Sequence, residues 1–380
     1  MATQVTHAEQ APGNTAPGLA TGELRRIAAE RATAADEARS LDPAVIKAIV
    51  HAGFARYFTP ARWGGNAGTF TELTAAVAAV GEACTSAAWC ASLAAFGARQ
   101  AAFLPLEGQR EVWAQGPDTF LVGAVVPAGR AEPVPGGWRL NGTWPYVSGV
   151  AFADFTMVAA QAPADNGPDV WYFAVPPGAY RVEDRWFTVG MRGTGSNTII
   201  LEDVFVPRHR GVDRADLIAG RPVGTSAPCH TTSLLSIAAL PFAGPLLGAG
   251  RAAVQASTGQ LASKRDDPAV QIGLARSAGE VDAAELLLGR VADVLDQGAA
   301  PAQLTARGGR DIVLAAELIT TAVNRLFRMA GTSGYSQDRP VERIWRDVNT
   351  ASSHSGLRPE RSAAAYARLA FAGPVSGDPA

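Results

Sequence analysis

Three stretches gather residue types able to bind or activate a ligand. The first, VGMRGTGSNT at 189–198, combines three glycines, one arginine and several small hydroxyl or amide side chains. Glycines grouped in this way cradle phosphate when a helix follows, because the free N–H groups and dipole of its N-terminus attract anions. Here Gly193-Thr194-Gly195 runs instead into NTIILEDVFVP, an alternating β-branched strand, and no Gly-Lys-Ser/Thr follows. Phosphate binding is therefore excluded for this turn. Two readings stay open: a plain β turn, or a small-residue turn lying flat against a large planar ligand with Arg192 as its fixed charge.

The second stretch, NGTWPYVSG at 141–149, opens on Asn141-Gly142, a strong hairpin signal. Trp144, Tyr146 and Ser148 then alternate, which on a strand predicts a shared face. Such a face either packs two aromatics into a core or stacks them on a conjugated ring beside a hydroxyl. The third stretch, GTSGYSQDRPVERIWRDVNTASSHSG at 331–356, leads through Pro340 into a helix on which Arg343, Asp347 and His354 fall four and seven residues apart. That spacing predicts a common face, carrying either an ion pair and a structural histidine or a titratable site. No metal site is expected, since the five histidines are scattered and only Cys229-His230 brings two ligand types together.

The elements around these stretches come in blocks. GELRRIAAERATAADEARS has amphipathic helical spacing, and LDPAVIKAIVHAG carries Asp42 as N-cap, Pro43 at the first helical position and Gly53 as the stop. Two nearly apolar helices follow, broken near Gly81 to Ser86. From about Thr119 to Val206 short strands alternate with Pro-Gly-Gly and Asn-Gly-Pro turns, and from about Thr231 the chain is helical again with a break at SKRDDPAV. Helices, then strands, then helices exclude a doubly wound sheet. The expected fold is α+β and multi-domain: a tail at 1–20, an N-terminal helical domain at 21–118, a central β domain at 119–212 and a C-terminal helical bundle at 213–380.

A formal net charge of −2 and no basic stripe argue against nucleic-acid or anionic-membrane partners. The first twenty residues lack the basic and apolar regions of a signal peptide. The longest uncharged run, Thr231 to Gly250, is interrupted by Pro241 and Pro245, which favours a buried bundle helix over a membrane span. Three cysteines, an odd and sparse set, fit reduced thiols in the cytoplasm.

VGMRGTGSNTIILEDVFVP and GTSGYSQDRPVERIWRDV, in this order on a helix–strand–helix plan, resemble two long motifs of the acyl-CoA dehydrogenase superfamily, from roughly Gly22 to Phe371. The resemblance implies an N-terminal helical domain, a central β-barrel or sandwich and a C-terminal four-helix bundle. The dehydrogenases use a glutamate base; at its two known places this chain has Ser355 and, near Ala-Gly-Pro, Ile237. A serine is no base near neutral pH. An Arg-x-Phe-Gly that holds the adenine half of FAD is likewise replaced by Lys264 to Asp267.

TWPYVSG, GMRGTGSNT and RDVNTASSH look more like the group D flavin-dependent monooxygenases of this fold, and most like actinomycete hydroxylases of aromatic polyketides such as naphthoquinones. That likeness implies hydroxylation through a C4a-hydroperoxyflavin. It implies O2 and reduced FMN as co-reactants, with FAD as the alternative flavin. A separate NAD(P)H:flavin reductase and a homotetramer are implied as well. It casts Ser148 and His354 as catalytic, Ser148 at flavin N5 with Trp144 and Tyr146 against the ring. Arg192 and Ser196 would border the flavin, and the Gly331-Thr332 turn would reach the flavin of a neighbouring subunit. Trp89, Phe96, Cys229, His230 and Phe242 are the expected substrate lining. Phenol hydroxylases of the group carry a histidine on the helix after a motif like Ser-Ala-Ala-Trp; here CASLAAFGARQ has none, which suits a more acidic polyketide phenol. Amine N-oxygenation, an acyl-CoA dehydrogenase-like activity and a silent flavin-binding module are the alternatives.

Overall fold

A computed structural model describes residues 18–164, 167–337 and 339–372. Most of the expected N-terminal tail lies outside these residues. Its last part is held in place: the Leu19 amide donates to Glu72 Oε1 at 2.9 Å and the Ala20 amide to the Ala52 carbonyl at 3.1 Å.

The N-terminal helices are α1 (Thr21–Ala38), α2 (Pro43–His51), α3 (Phe70–Ala83), α4 (Thr85–Ala101) and α5 (Leu106–Val112). Asp42 caps α2 by accepting from the Ala44 amide, as its place before Pro43 predicts. Cys84, in an extended conformation, separates α3 from α4. Helix α4 is buried almost all round, which explains its run of small and apolar residues.

The strands are β1 (Leu121–Val134), β2 (Gly137–Val147), β3 (Phe155–Ala162), β4 (Asp169–Val175), β5 (Arg181–Glu183), β6 (Asn197–Pro207) and β7 (Gly211–Asp213). They form one seven-stranded mixed sheet, ordered β5-β6-β2-β1-β3-β4-β7, in which only β1 and β3 run parallel. The central β region expected as a barrel or sandwich is thus this mixed sheet, whose apolar face shares a core with the helices.

Asn141-Gly142 is not a hairpin turn. The β1–β2 reversal lies at Gly136, with positive φ, and Asn141-Gly142 sits inside β2 opposite a bulge in β6. Two features explain the pair. The Asn141 carbonyl oxygen of the side chain accepts from the Asp203 amide at the bulge, 2.7 Å away. The Trp144 ring crosses Gly129 so closely that a Cβ there would lie 2.2 Å from it, and Gly142 backs the same ring.

The C-terminal part comprises the short α6 (Arg214–Ala219), α7 (Pro228–Thr231) and α8 (Leu234–Ile237), then α9 (Leu240–Gln260), α10 (Pro268–Asp296), α11 (Ala302–Met329), α12 (Pro340–Ser352) and α13 (Pro359–Phe371). Helices α9 to α12 pack as a four-helix bundle, and α3 joins it along α9. At that crossing Gly248 meets Gly81; a Cβ on Gly248 would come 2.1 Å from the Ala78 carbonyl. Only glycine permits so close an approach. The Leu234–Gln260 segment is long and apolar enough to cross a membrane, but most of its most apolar part is buried inside the fold, as in a core helix.

Candidate active site

The three stretches singled out by residue type converge between α4, the end of β2 and the end of α12. Strand β2 brings the first group. Trp144 is 1% exposed and its indole Nε1 donates to the Ala159 carbonyl at 2.6 Å, so its ring belongs to the sheet core. Tyr146 does not share that face. Its φ of +65° breaks the strand alternation, the β2–β6 register shifts beside it, and its ring is 71% exposed against Trp186. The same irregularity returns Ser148 to the interior at 7% exposure.

The 189–196 turn supplies the second group. Its glycines serve close packing. A Cβ on Gly190 would lie 2.1 Å from the Arg346 carbonyl of α12, and one on Gly193 would press on Ser86 and Ala35 at 3.1 and 3.2 Å. Met191 and Gly195, both with φ of +53°, bracket a single turn of 3₁₀ helix. Arg192 points to the protein: Nε donates to the Asp36 carbonyl at 2.8 Å and Nη1 to the Thr188 carbonyl at 3.2 Å. It is therefore not a free charge, and Arg346 completes the cluster by pairing with Asp36 and Glu342.

Around Ser148 the hydroxyls link. The Trp89 indole donates to Ser148 Oγ at 3.1 Å; Ser148 Oγ lies 2.7 Å from Ser196 Oγ, and Ser196 Oγ lies 2.6 Å from Thr194 Oγ1. Thr194 Oγ1 donates to the Met191 carbonyl at 2.7 Å. The Gly149 amide donates to the Thr194 carbonyl at 2.8 Å, tying the end of β2 to the turn.

From the other side, His354 packs on Phe242 of α9 with ring centroids 3.8 Å apart and meets Trp89 edge-on at 5.7 Å. His354 lies beyond the end of α12, so it does not extend the Arg343–Asp347 face. Its Nδ1 accepts from the Gly356 amide at 3.0 Å, which places the proton of the neutral ring on Nε2. Burial pushes its pKa down to about 4, so the ring is a neutral donor at physiological pH. Asp347 does not pair with Arg343, which reaches Thr33. It is buried, and its Oδ1 accepts from the Met191 amide at 2.5 Å. Burial pushes its carboxyl up to about 6 against the pull of that amide.

Other expected residues fall elsewhere. His230 is fully buried, with Nε2 2.7 Å from the Phe58 carbonyl and Nδ1 3.0 Å from Thr225 Oγ1. The Cys229 and His230 carbonyls accept from Arg99, and burial lifts the Cys229 thiol to about 12, making it inert. Phe96 packs on Phe58 and Phe70. Gly331 and Thr332, expected to reach a neighbouring subunit, lie exposed in a short turn after α11. Sequence reasoning missed Thr194 and the role of Asp347, whose only trace was the hydroxyl-rich composition of the turn and the Arg-Asp of the third stretch.

Comparison with known proteins identifies the family and the fold. A family described as "Acyl-CoA dehydrogenase, C-terminal domain" matches residues 240–359. The flavin-dependent monooxygenase oxygenase subunit HsaA of Mycobacterium tuberculosis is 34% identical, over 88% of this chain and 89% of that protein. The FADH(2)-dependent resorcinol hydroxylase oxygenase component of a Rhizobium species is 32% identical, over 93% and 94%. Among solved structures, XiaF from a Streptomyces species in complex with FADH2 and glycerol superposes with a TM-score of 0.86 at 28% identity, covering 95% of this chain and 96% of that one. With the fold and these relatives in agreement, the chain belongs to the acyl-CoA dehydrogenase-fold family of flavin-dependent monooxygenases, as an oxygenase component that works with reduced flavin.

Proposed function

We propose that this oxygenase hydroxylates an electron-rich aromatic polyketide phenol of the naphthoquinone type. Reduced FMN, or FAD in its place, is delivered by a separate NAD(P)H:flavin reductase to a cytoplasmic homotetramer. The observation that carries the reading is the composition of the side-chain cluster around Ser148. Ser148, Trp89, Phe242 and His354 meet there in a buried, apolar setting, while Asp347 is turned away onto the Met191 amide. Of the two places where a dehydrogenase base is expected, Ser355 is exposed and Ile237 is a buried aliphatic. Nothing there removes an α-proton from an acyl thioester.

The residues present fit a reduced flavin. Ser148 Oγ, after receiving the Trp89 hydrogen, keeps acceptor capacity for a ring N–H. When bound, reduced flavin supplies the electrons that activate dioxygen. Trp89 and Phe242 exclude water from the cluster, and exclusion of water limits wasteful loss of reduced oxygen. His354 offers Nε2–H as a neutral hydrogen-bond donor to an oxygen atom of the substrate or co-substrate. Helix α4 carries no histidine after Trp89, so the substrate must bring its own acidity, as polyketide phenols do. Trp144, enclosed in the sheet core, is not part of this reading, and Arg192 acts by holding the turn.

The test is incubation of the purified chain with anaerobically reduced FMN, a hydroxynaphthoquinone and ¹⁸O-labelled dioxygen. Incorporation of one labelled atom into the aromatic ring is expected. Labelled product only from an amino sugar, or anaerobic bleaching of the flavin by an acyl-CoA, would replace this reading with N-oxygenation or dehydrogenation.

A further inference from the structure

The hydroxyl pairs around Ser148 each leave open which oxygen donates, but the two ends of the chain decide it. At one end stands Trp89, whose indole nitrogen can only donate, 3.1 Å from Ser148 Oγ. At the other stands the Met191 carbonyl, which can only accept, 2.7 Å from Thr194 Oγ1. Two oxygens that close need a hydrogen between them, and only Thr194 has one. The same carbonyl also receives the Trp186 indole at 2.9 Å and the Thr194 amide at 3.1 Å, so it is an acceptor in all three contacts.

The remaining hydrogens follow. Thr194 has spent its hydrogen on Met191, so in the 2.6 Å contact Ser196 donates to Thr194. Ser196 has then spent its own, so in the 2.7 Å contact Ser148 donates to Ser196. The order is Trp89 N–H to Ser148 O–H to Ser196 O–H to Thr194 O–H to the Met191 carbonyl. The carbonyl end is itself fixed, because the Met191 amide is clamped by Asp347 at 2.5 Å.

We infer that this one-way chain makes Ser148 an acceptor only toward a bound flavin, and that Ser196 and Thr194 thereby select its reduced form. The inference rests on the flavin reading above. A reduced isoalloxazine presents N–H at N5 and can donate to the spare lone pair of Ser148. The oxidised ring presents a bare nitrogen there, which faces that lone pair with no hydrogen between. Thr194 and Ser196 are positioning residues in this scheme, acting through Ser148.

The test is equilibrium binding of oxidised FMN and, anaerobically, of reduced FMN. The wild-type chain is expected to prefer reduced FMN by roughly tenfold or more, the scale of one well-placed hydrogen bond. Ser196→Ala removes the acceptor of the Ser148 hydrogen, and Thr194→Val lets Ser196 turn its hydrogen back toward Ser148. Either change frees Ser148 to donate, so oxidised FMN should tighten and the preference fall to within about threefold. Thr194→Ser restores the terminal donor and should restore the preference. Trp89→Phe removes an incoming hydrogen but leaves the Ser148 hydrogen on Ser196, so the preference should survive. A preference unchanged in both Ser196→Ala and Thr194→Val overturns the inference, as does a wild-type chain that binds both forms alike. Failure of the wild-type chain to bind either form overturns the flavin reading itself. If Thr194→Val does not fold, Ser196→Ala and the wild-type ratio decide the matter.

Discussion

Helix α4 feeds two buried polar centres that look alike in composition and differ in use. Near its start, Trp89 reaches the Ser148 chain and His354. Near its end, Arg99 reaches the carbonyls of Cys229, His230 and Thr232, beside a histidine held at both ring nitrogens. In the Arg99 centre the acceptors are backbone carbonyls and His230 has no free nitrogen; one guanidinium nitrogen, Nη1, stays unpaired, and burial pushes the Arg99 pKa down to about 10. In the Ser148 centre a lone pair on Ser148 and the Nε2–H of His354 remain for a guest. A polar cluster whose acceptors are all engaged holds a fold together, whereas one that keeps an acceptor in reserve beside a free donor can hold a ligand.

Removing each centre in turn should separate these roles. Arg99→Met strips the donors from several buried carbonyls at once, and a loss of about 3 kcal/mol or more in urea unfolding is expected. The folded fraction should still prefer reduced FMN; loss of that preference would join the two centres into one. Asp347→Ala frees the Met191 amide and should cost about 2 kcal/mol, while also loosening the turn that carries Thr194 and Ser196. The preference for reduced FMN should weaken in the same variant. Ser148→Ala should change stability by less than about 1.5 kcal/mol yet raise the hydrogen peroxide released per product; a tightly coupled variant would remove Ser148 from the reaction.

The smallest effect is a pH dependence shared by the two centres. Burial holds His230 and His354 at about 4, against an ordinary 6.5. Between those values the unfolded chain takes up protons that the folded chain refuses, so their contribution is complete above pH 6.5 and is lost as the pH falls toward 4. Asp347, raised to about 6, works in the opposite sense, because the folded chain binds its proton first. Two histidines against one carboxyl leave a net loss of stability on acidification. Urea midpoints at pH 7 and pH 4.5 measure it, and His354→Phe should make the difference smaller.

Much of this architecture was legible in the sequence where a rule is local. The Asp42-Pro43 cap, the break at Cys84, the strand after Gly195 and the burial of the uncharged helix all follow from neighbours along the chain. Backbone states were not legible. No pattern announces that Tyr146 takes a positive φ, and that single residue sends its ring outward and Ser148 inward. Nor could Asn141-Gly142 be told from a turn, because the demand for glycine comes from the Trp144 ring folded over it. Thr194 was invisible for another reason. Its importance lies in the direction of a hydrogen, which depends on a tryptophan and a carbonyl supplied by distant parts of the chain.

The seat of Gly190 on the Arg346 carbonyl has a consequence for how the protein is made. Met191 and its anchor Asp347 are separated by 156 residues, so the turn finds its clamp only when the end of α12 has left the ribosome. Strands and early helices can collapse beforehand, but contacts so distant in sequence form last. A nascent chain therefore carries Ser148 and Ser196 without the Asp347 clamp until α12 has been made. The turn that carries Thr194 and Ser196 is thus anchored late, by a helix that follows it by more than a hundred residues.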